Sequence, residues 1–331
     1  MKKTLMYVGG LLLAVALLFV SCKKDNEVVP TIDKYFSVED ATLVKQNMPE
    51  PTSDAVIDVT MNSGVIPGGS SFVSLTTEKS AKRILVGMKD QAGYYELTRS
   101  TARGEYSFVI SVNQDIELEG ETQSFTVLVA IEDEDGAISK IWESTVNLIA
   151  VGTGDLQVSL SFDNAKDVDL HLVEPEYYSP DNEPVTFWDR HIYYGNKWAC
   201  YSGGCLDLDS NPSCSIDNVN NENITYSDST GFVPAGTYKV YVDLFENCEP
   251  NIATHYVVTV YYGGVRIASK SGVFNVGAES TYNPIDEDYV AENEPFLTFT
   301  IGNNGQRCVK DFGRAPLSES ALEKETIALH K

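Results

Sequence analysis

Asp167-Val168-Asp169-Leu170-His171-Leu172 sets two acids and an imidazole at alternate positions. In an extended strand alternate side chains share a face, so Asp167, Asp169 and His171 stand opposite Val168, Leu170 and Leu172. Carboxylates at i and i+2 repel, and aspartate is a poor strand former, so the pattern asks for something that offsets the charge. Leu206-Asp207-Leu208-Asp209 repeats the device, and Asn211 continues the row of oxygens. Ca²⁺ takes six to eight oxygen ligands, and a Ca²⁺ ion between the two segments relieves both repulsions. The ligand set expected from spacing is Asp167, Asp169, Asp207 and Asp209, with Asp243 a further candidate on the outward face of a later strand. Two alternatives stand beside it: a pair of solvated acidic faces in a chain with 48 acidic residues, or zinc at His171 with the aspartates. The run from Asp207 opens like a calcium-binding loop, but Pro212 stands where an EF-hand needs Gly and Asn218 where it needs Glu, so it is not one.

Aromatic residues crowd the stretch between the two acidic segments. Trp188, Tyr193, Tyr194, Trp198 and Tyr201 are the expected binding surface, since aromatic faces beside acids and amides stack on sugar rings or grip a protein partner. The alternative is a local core over the edge of a sheet. Catalytic signatures are absent: the chain has no Gly-x-Ser-x-Gly elbow, no His-Glu-x-x-His and no phosphate-cradling glycine loop. A glycosidase-type carboxylate pair is the remaining enzymatic alternative.

The elements that must carry these residues are strands. Short alternating runs rich in Val, Thr, Tyr and Phe recur throughout, which predicts an all-β chain of two tandem immunoglobulin-like β-sandwiches. The first, residues 54–151, has runs at Ala55–Met61, Ser71–Thr76, Arg83–Met88, Tyr94–Leu97, Tyr106–Val112, Ser124–Ile131 and Ile138–Ala150. Val151-Gly152-Thr153-Gly154 reads as a flexible joint. The second sandwich, residues 155–302, adds strands at Tyr238–Phe245, His255–Tyr262, Val265–Ser269 and Phe296–Ile301, with Gly263-Gly264 as a two-residue turn. Residues 303–331 form a polar tail.

The amino terminus reads as a targeting segment. Met1-Lys2-Lys3, an apolar run from Leu5 to Val20 and Ser21-Cys22 make a signal peptide over residues 1–21, too short in its apolar part to span a bilayer. Leu18-Phe19-Val20-Ser21-Cys22 resembles the relaxed lipobox of Bacteroidetes, which implies lipid on Cys22 and an outer-membrane lipoprotein exposed at the cell surface. Residues 22–53 are expected to be its tether. Cleavage leaves 22 basic residues against 48 acidic ones, a surface that repels nucleic acid and attracts divalent cations. In an exported chain Cys200, Cys205, Cys214 and Cys248 are disulfide candidates, and Cys308 is the expected free thiol.

A family resemblance adds to these readings. Asp167 to Pro175, Ile192 to Asn196, Gly203 to Asp209, Glu222-Asn223-Ile224 and Pro234 to Tyr238 are similar, in order and spacing, to the successive signatures of the YfaP-type bacterial domain of unknown function, over about residues 155–262. The resemblance implies a β-sandwich with a polar cluster built from those acidic motifs, which adds Glu222 to the ligand set, and it implies no enzymatic activity. Two insertions depart from the family pattern, Glu176–Asp189 and Asn211–Asn221. Both lie beside the cluster and are placed to cover or reshape it. The function expected is a non-catalytic envelope lipoprotein that serves as a binding or adhesion module, with glycan capture as the alternative and a purely structural envelope component as a third reading.

Overall fold

The computed structural model describes residues 29, 31–98, 104–118, 123–226, 232–282 and 285–302. The expected signal peptide, Cys22, Cys308 and the expected 303–331 tail lie outside them. Two β-sandwiches follow one another. The first contains β1 (Phe36–Val38), β2 (Thr42–Val44), β3 (Ile57–Thr60), β4 (Gly64–Val65), β5 (Ser70–Thr77), β6 (Ala81–Met88), β7 (Tyr94–Thr98), β8 (Gly104–Val112), β9 (Ser124–Asp133) and β10 (Trp142–Leu148). One sheet runs β1-β8-β5-β3 and the other β2-β7-β6-β9-β10-β4. Alternation explains the core: Val73 and Leu75 of β5, Ile84 and Val86 of β6, and Val127 and Val129 of β9 all point between the sheets.

The expected tether is corrected here. Residues from Ile32 onward belong to this sandwich, because Ile32, Phe36 and Val38 are fully buried in its core. β1 pairs with β8 and β2 with β7. An apolar Ile-x-x-x-Phe-x-Val pattern outweighs the prolines and charges around it.

The second sandwich contains β11 (Leu156–Phe162), β12 (Asp167–Val173), β13 (His191–Ile192), β14 (Gly204–Leu208), β15 (Asn221–Tyr226), β16 (Gly236–Glu246), β17 (Thr254–Tyr262), β18 (Val265–Phe274) and β19 (Leu297–Ile301). Its sheets run β14-β15-β11-β17-β18 and β13-β12-β16-β19. Two short helices, α1 (Phe187–Arg190) and α2 (Glu287–Glu292), lie over the outer face of the second sheet. There Phe187 and Val290 pack on Val173 and Tyr241 as a small separate core. A face that would otherwise meet water is thereby closed, and all seven residues of β12 are buried.

β11 is buried on both faces as well. Leu156, Val158, Leu160 and Phe162 enter the core of their own sandwich, while Gln157, Ser159 and Ser161 meet the first one. Ser161 Oγ accepts the Ser70 N–H at 3.1 Å, Ser159 Oγ donates to Gly68 O at 2.9 Å, and Gln157 Nε2 donates to Pro67 O at 2.7 Å. The flexible joint is corrected by the same region. Gly152 N donates to Asp207 Oδ2 at 2.6 Å, Gly152 O accepts from Asn223 Nδ2 at 2.9 Å, and Thr153 O accepts from Gln114 Nε2 at 2.9 Å. Glycine permits the path of the linker, and side chains from both sandwiches then hold it.

Candidate metal centre

β12 and β16 lie side by side with Asp169 opposite Asp243 and His171 opposite Tyr241. Their outer face therefore carries two carboxylates and an imidazole in contact range. From the other sheet, Glu222 on β15 reaches the edge of β12 not taken by β16, where its Oε2 accepts the Leu170 N–H at 2.6 Å. Asp209 follows the end of β14 and faces the same point. Two groups result, Asp169–Asp209–Glu222 and Asp169–His171–Asp243, each with one ligand atom per residue and those atoms within 4.8 Å of one another.

The site is closed to solvent: Asp169 is 3 % exposed, Glu222 1 % and His171 0 %. Glu222 Oε1, Asp209 Oδ1, Asp243 Oδ1 and His171 Nε2 are buried without a hydrogen-bond partner. That concentration at one point is unusual, since the large majority of buried polar atoms are satisfied. Burial, followed by the charges of Asp243, Asp167 and Asp209, holds the Asp169 carboxyl far above the usual range. Burial likewise raises Glu222, helped by the charges of Asp169 and Asp209. Burial also pushes Asp243 to about 7 and Asp167 to about 6. Among the described residues, the one ammonium in contact is that of Lys197, half exposed, 2.6 Å from Asp209 Oδ2. A single cation of that kind leaves the cluster short of positive charge.

Of the five expected ligands, Asp169, Asp209 and Glu222 converge. Asp167 stands beside them with Oδ2 taken by the Ser213 N–H at 2.7 Å, and it belongs to neither group. Asp207 is a correction: it is exposed and serves the linker, accepting from Gly152 and, through Oδ1, from Asn223 at 2.7 Å. The cause is a β-bulge. β14 sets Leu206 against Ile224 and Leu208 against Asn223, so Asp207 is the extra residue and strict alternation fails there. Asn211 is no ligand either. Its Nδ2 donates to Lys166 O and its Oδ1 accepts from the Asp217 N–H, so it orders the insertion that follows.

The expected binding surface divides. Tyr193 stacks on His171 and His191, with ring centroids 5.2 and 4.3 Å apart, and Tyr194 packs edge-on against His171 and Phe245. These two form the roof of the site. Trp188, Trp198 and Tyr201 are 48, 53 and 42 % exposed and remain available. Glu174 pins this roof to the sandwich, taking hydroxyl donors from Ser202, Tyr226 and Tyr177 while its carbonyl accepts from Arg190 Nη1 at 2.6 Å. Among the cysteines, Cys214 and Cys248 form a disulfide that ties the Asn211–Asn221 insertion to the end of β16. Cys200 and Cys205 are free, which corrects their expected pairing. Sequence reasoning missed His191, whose place beside His171 depends on β13 pairing with β12; no periodicity announces it. Asp243 was visible through alternation on β16, and only its pairing with Asp169 gives it weight.

No family model and no curated protein matches this chain. Among solved structures it is similar to the fibronectin(III)-like modules of Clostridium thermocellum CbhA, at 9 % identity, covering 67 % of this chain and 94 % of that one, with a TM-score of 0.19. A structure of manganese lipoxygenase of Gaeumannomyces graminis with part of zonadhesin of Komagataella pastoris gives 11 % identity over 68 % of this chain and 93 % of the other, again with a TM-score of 0.19. Likenesses of this size carry no argument about function.

Proposed function

We propose that this chain is a non-catalytic binding module of the bacterial cell envelope, anchored at the outer membrane through lipid on Cys22, whose second sandwich is locked by Ca²⁺ on Asp169, Asp209 and Glu222. The observation that carries the cation is the pair of orphaned buried oxygens, Glu222 Oε1 and Asp209 Oδ1, on two residues that bring ligand atoms within 4.8 Å of one of Asp169. Three carboxylates without nitrogen or sulfur suit a hard cation. The resemblance to YfaP-type domains, with its cluster of the same acidic motifs, is part of this reading.

The binding role draws on the position of the exposed aromatics. Trp188, Trp198 and Tyr201 belong to the segment between β12 and β14 that also roofs the acidic cluster, so an ion there fixes the platform from beneath. A protein partner is the reading taken, with glycan capture second because two exposed indoles offer faces for sugar rings. The test measures thermal unfolding of the chain in chelator and in millimolar Ca²⁺, alongside pull-downs and a glycan array with Trp188→Ala and Trp198→Ala. A native-state ligand at about 100 times its dissociation constant adds about 2.7 kcal/mol. No Ca²⁺-dependent shift would remove the cation from the reading. Neither a protein partner nor a glycan lost in the tryptophan variants would remove the binding role.

A further inference from the structure

We propose that Asp169, His171 and Asp243 form a second metal position, of the borderline class that Zn²⁺ typifies, and that it shares Asp169 with the all-oxygen position beside it. The second sandwich then holds a two-cation centre bridged by one carboxylate. Imidazole with two carboxylates is a donor set for zinc and its neighbours, whereas Ca²⁺ takes oxygen alone.

Three observations carry the assignment. The first is proximity, with ligand atoms of the three residues within 4.8 Å. The second is the pair of unpartnered atoms: His171 Nε2 and Asp243 Oδ1 are buried without a hydrogen bond, and His171 Nε2 lies 3.8 Å from Asp243 Oδ2. That distance is too long for a hydrogen bond and leaves room for an ion that touches both. The third is the support behind the ligands. His171 Nδ1 is 3.0 Å from His191 Nε2. Donation from Nδ1–H to His191 leaves the lone pair on Nε2, the nitrogen that faces Asp243. Tyr193, stacked on both rings, fixes their planes. On the carboxylate side the Thr281 hydroxyl is shared between Asp243 Oδ2 and Leu244 O, each at 3.1 Å, and Asp243 Oδ1 is left without a hydrogen bond. A metal-ligating histidine held through its other nitrogen and a ligating carboxylate held by a hydroxyl are the usual outer partners of such ions.

This inference does not rest on Ca²⁺ at the first position, because His171 and Asp243 take no part there and Asp209 and Glu222 take no part here. The full chain carrying Cys22→Ser, Cys200→Ser, Cys205→Ser and Cys308→Ser, which removes every cysteine outside the Cys214–Cys248 disulfide as a competing ligand, is stripped with chelator and loaded with Zn²⁺ alone, Ca²⁺ alone, or both. Metal per chain is counted after gel filtration. Zn²⁺ is expected to bind at one per chain, to be lost in His171→Gln and Asp243→Asn, and to be kept in Glu222→Gln. His191→Phe, which removes a positioning residue, weakens Zn²⁺ by about 10–100-fold and leaves Ca²⁺ uptake unchanged. X-ray absorption of the Co²⁺-loaded parent needs no variant of the site, and it is expected to show imidazole nitrogen bound to the metal. Zn²⁺ that does not bind, that binds undiminished in His171→Gln, or Co²⁺ without imidazole coordination overturns the proposal. Zn²⁺ bound as described in a chain that takes no Ca²⁺ upholds the zinc position and overturns the two-cation centre together with the Ca²⁺ reading of the preceding subsection.

Discussion

Glu174 and Glu222 are both glutamates at 1 % exposure, and their surroundings treat them in opposite ways. Three hydroxyls serve the Glu174 carboxylate, whereas Glu222 has one backbone N–H and an orphaned Oε1. Removing a partner from a satisfied buried network costs about 1–3 kcal/mol. Glu174→Gln is therefore expected to lose that much in urea unfolding whether or not a cation is present. Glu222→Gln removes a carboxyl whose ionisation burial and the neighbouring acids penalise, so it is expected to stabilise the chelator-treated protein and to abolish the gain on adding Ca²⁺. The two aspartates of β14 and its C-terminal extension separate in the same assay. Asp209→Asn loses the Ca²⁺ response, and Asp207→Asn keeps it, because Asp207 bonds the linker. Equal losses from both would place Asp207 in the site.

At the scale of elements, β12 and its neighbours set the pH behaviour of the cluster. Burial raises Asp167 to about 6 and Asp243 to about 7 from an ordinary 3.8. Folded, these groups hold protons more tightly than unfolded, so their contribution is fully present below about pH 4 and is lost as pH rises through 6 and 7. In chelator, the stability of the wild type relative to Asp167→Asn/Asp243→Asn is expected to fall from pH 4 to pH 7, as followed by urea midpoints. A flat difference over that window would mean that the two carboxyls are solvated. The insertion after β14 is a second element with its own test. Cys214–Cys248 spans 34 residues, a loop whose closure is worth roughly 3–4 kcal/mol in the chain-entropy account. Reduction, or Cys214→Ala with Cys248→Ala, is expected to lower the thermal midpoint accordingly, and an unchanged midpoint would show that the insertion holds its place without the bridge.

The whole molecule is more rigid across its middle than two sandwiches on a glycine linker would be. β11 and β17 dock on β5 through small polar residues, with Ser70 Oγ 2.9 Å from Thr259 Oγ1 and Phe72 stacked on His255 at 4.5 Å. Gly68 lies at φ +72°, where a β-carbon would stand 2.4 Å from Gln157 Oε1. Gly68→Ala is expected to cost roughly 1–3 kcal/mol through backbone strain, together with the loss of the Gln157 contact. In calorimetry the docked pair is expected to unfold in one transition in the wild type and in two in the variant. A variant that unfolds as the wild type does would show that the sandwiches are not coupled there.

The alternation of apolar residues was enough by itself to determine the all-β class, two sandwiches, the seven longer strands of the first and the polar face of β12, since the side-chain period of a strand is a local property. It also marked Asp169 and Asp209, cysteine usage put Cys214 and Cys248 among four disulfide candidates, and the YfaP-type resemblance added Glu222. Tertiary structure alone decided which of these meet. A bulge turned Asp207 away, because one inserted residue reverses a two-residue period and the strand run carries no sign of it. Pairing of β12 with β16 and β13 brought Asp243 and His191 to His171 from 72 and 20 residues away. The outer face became an interior because α1, α2 and the aromatic segment cover it. Charge repulsion along one strand can be read from spacing, but desolvation depends on what the rest of the chain lays on top.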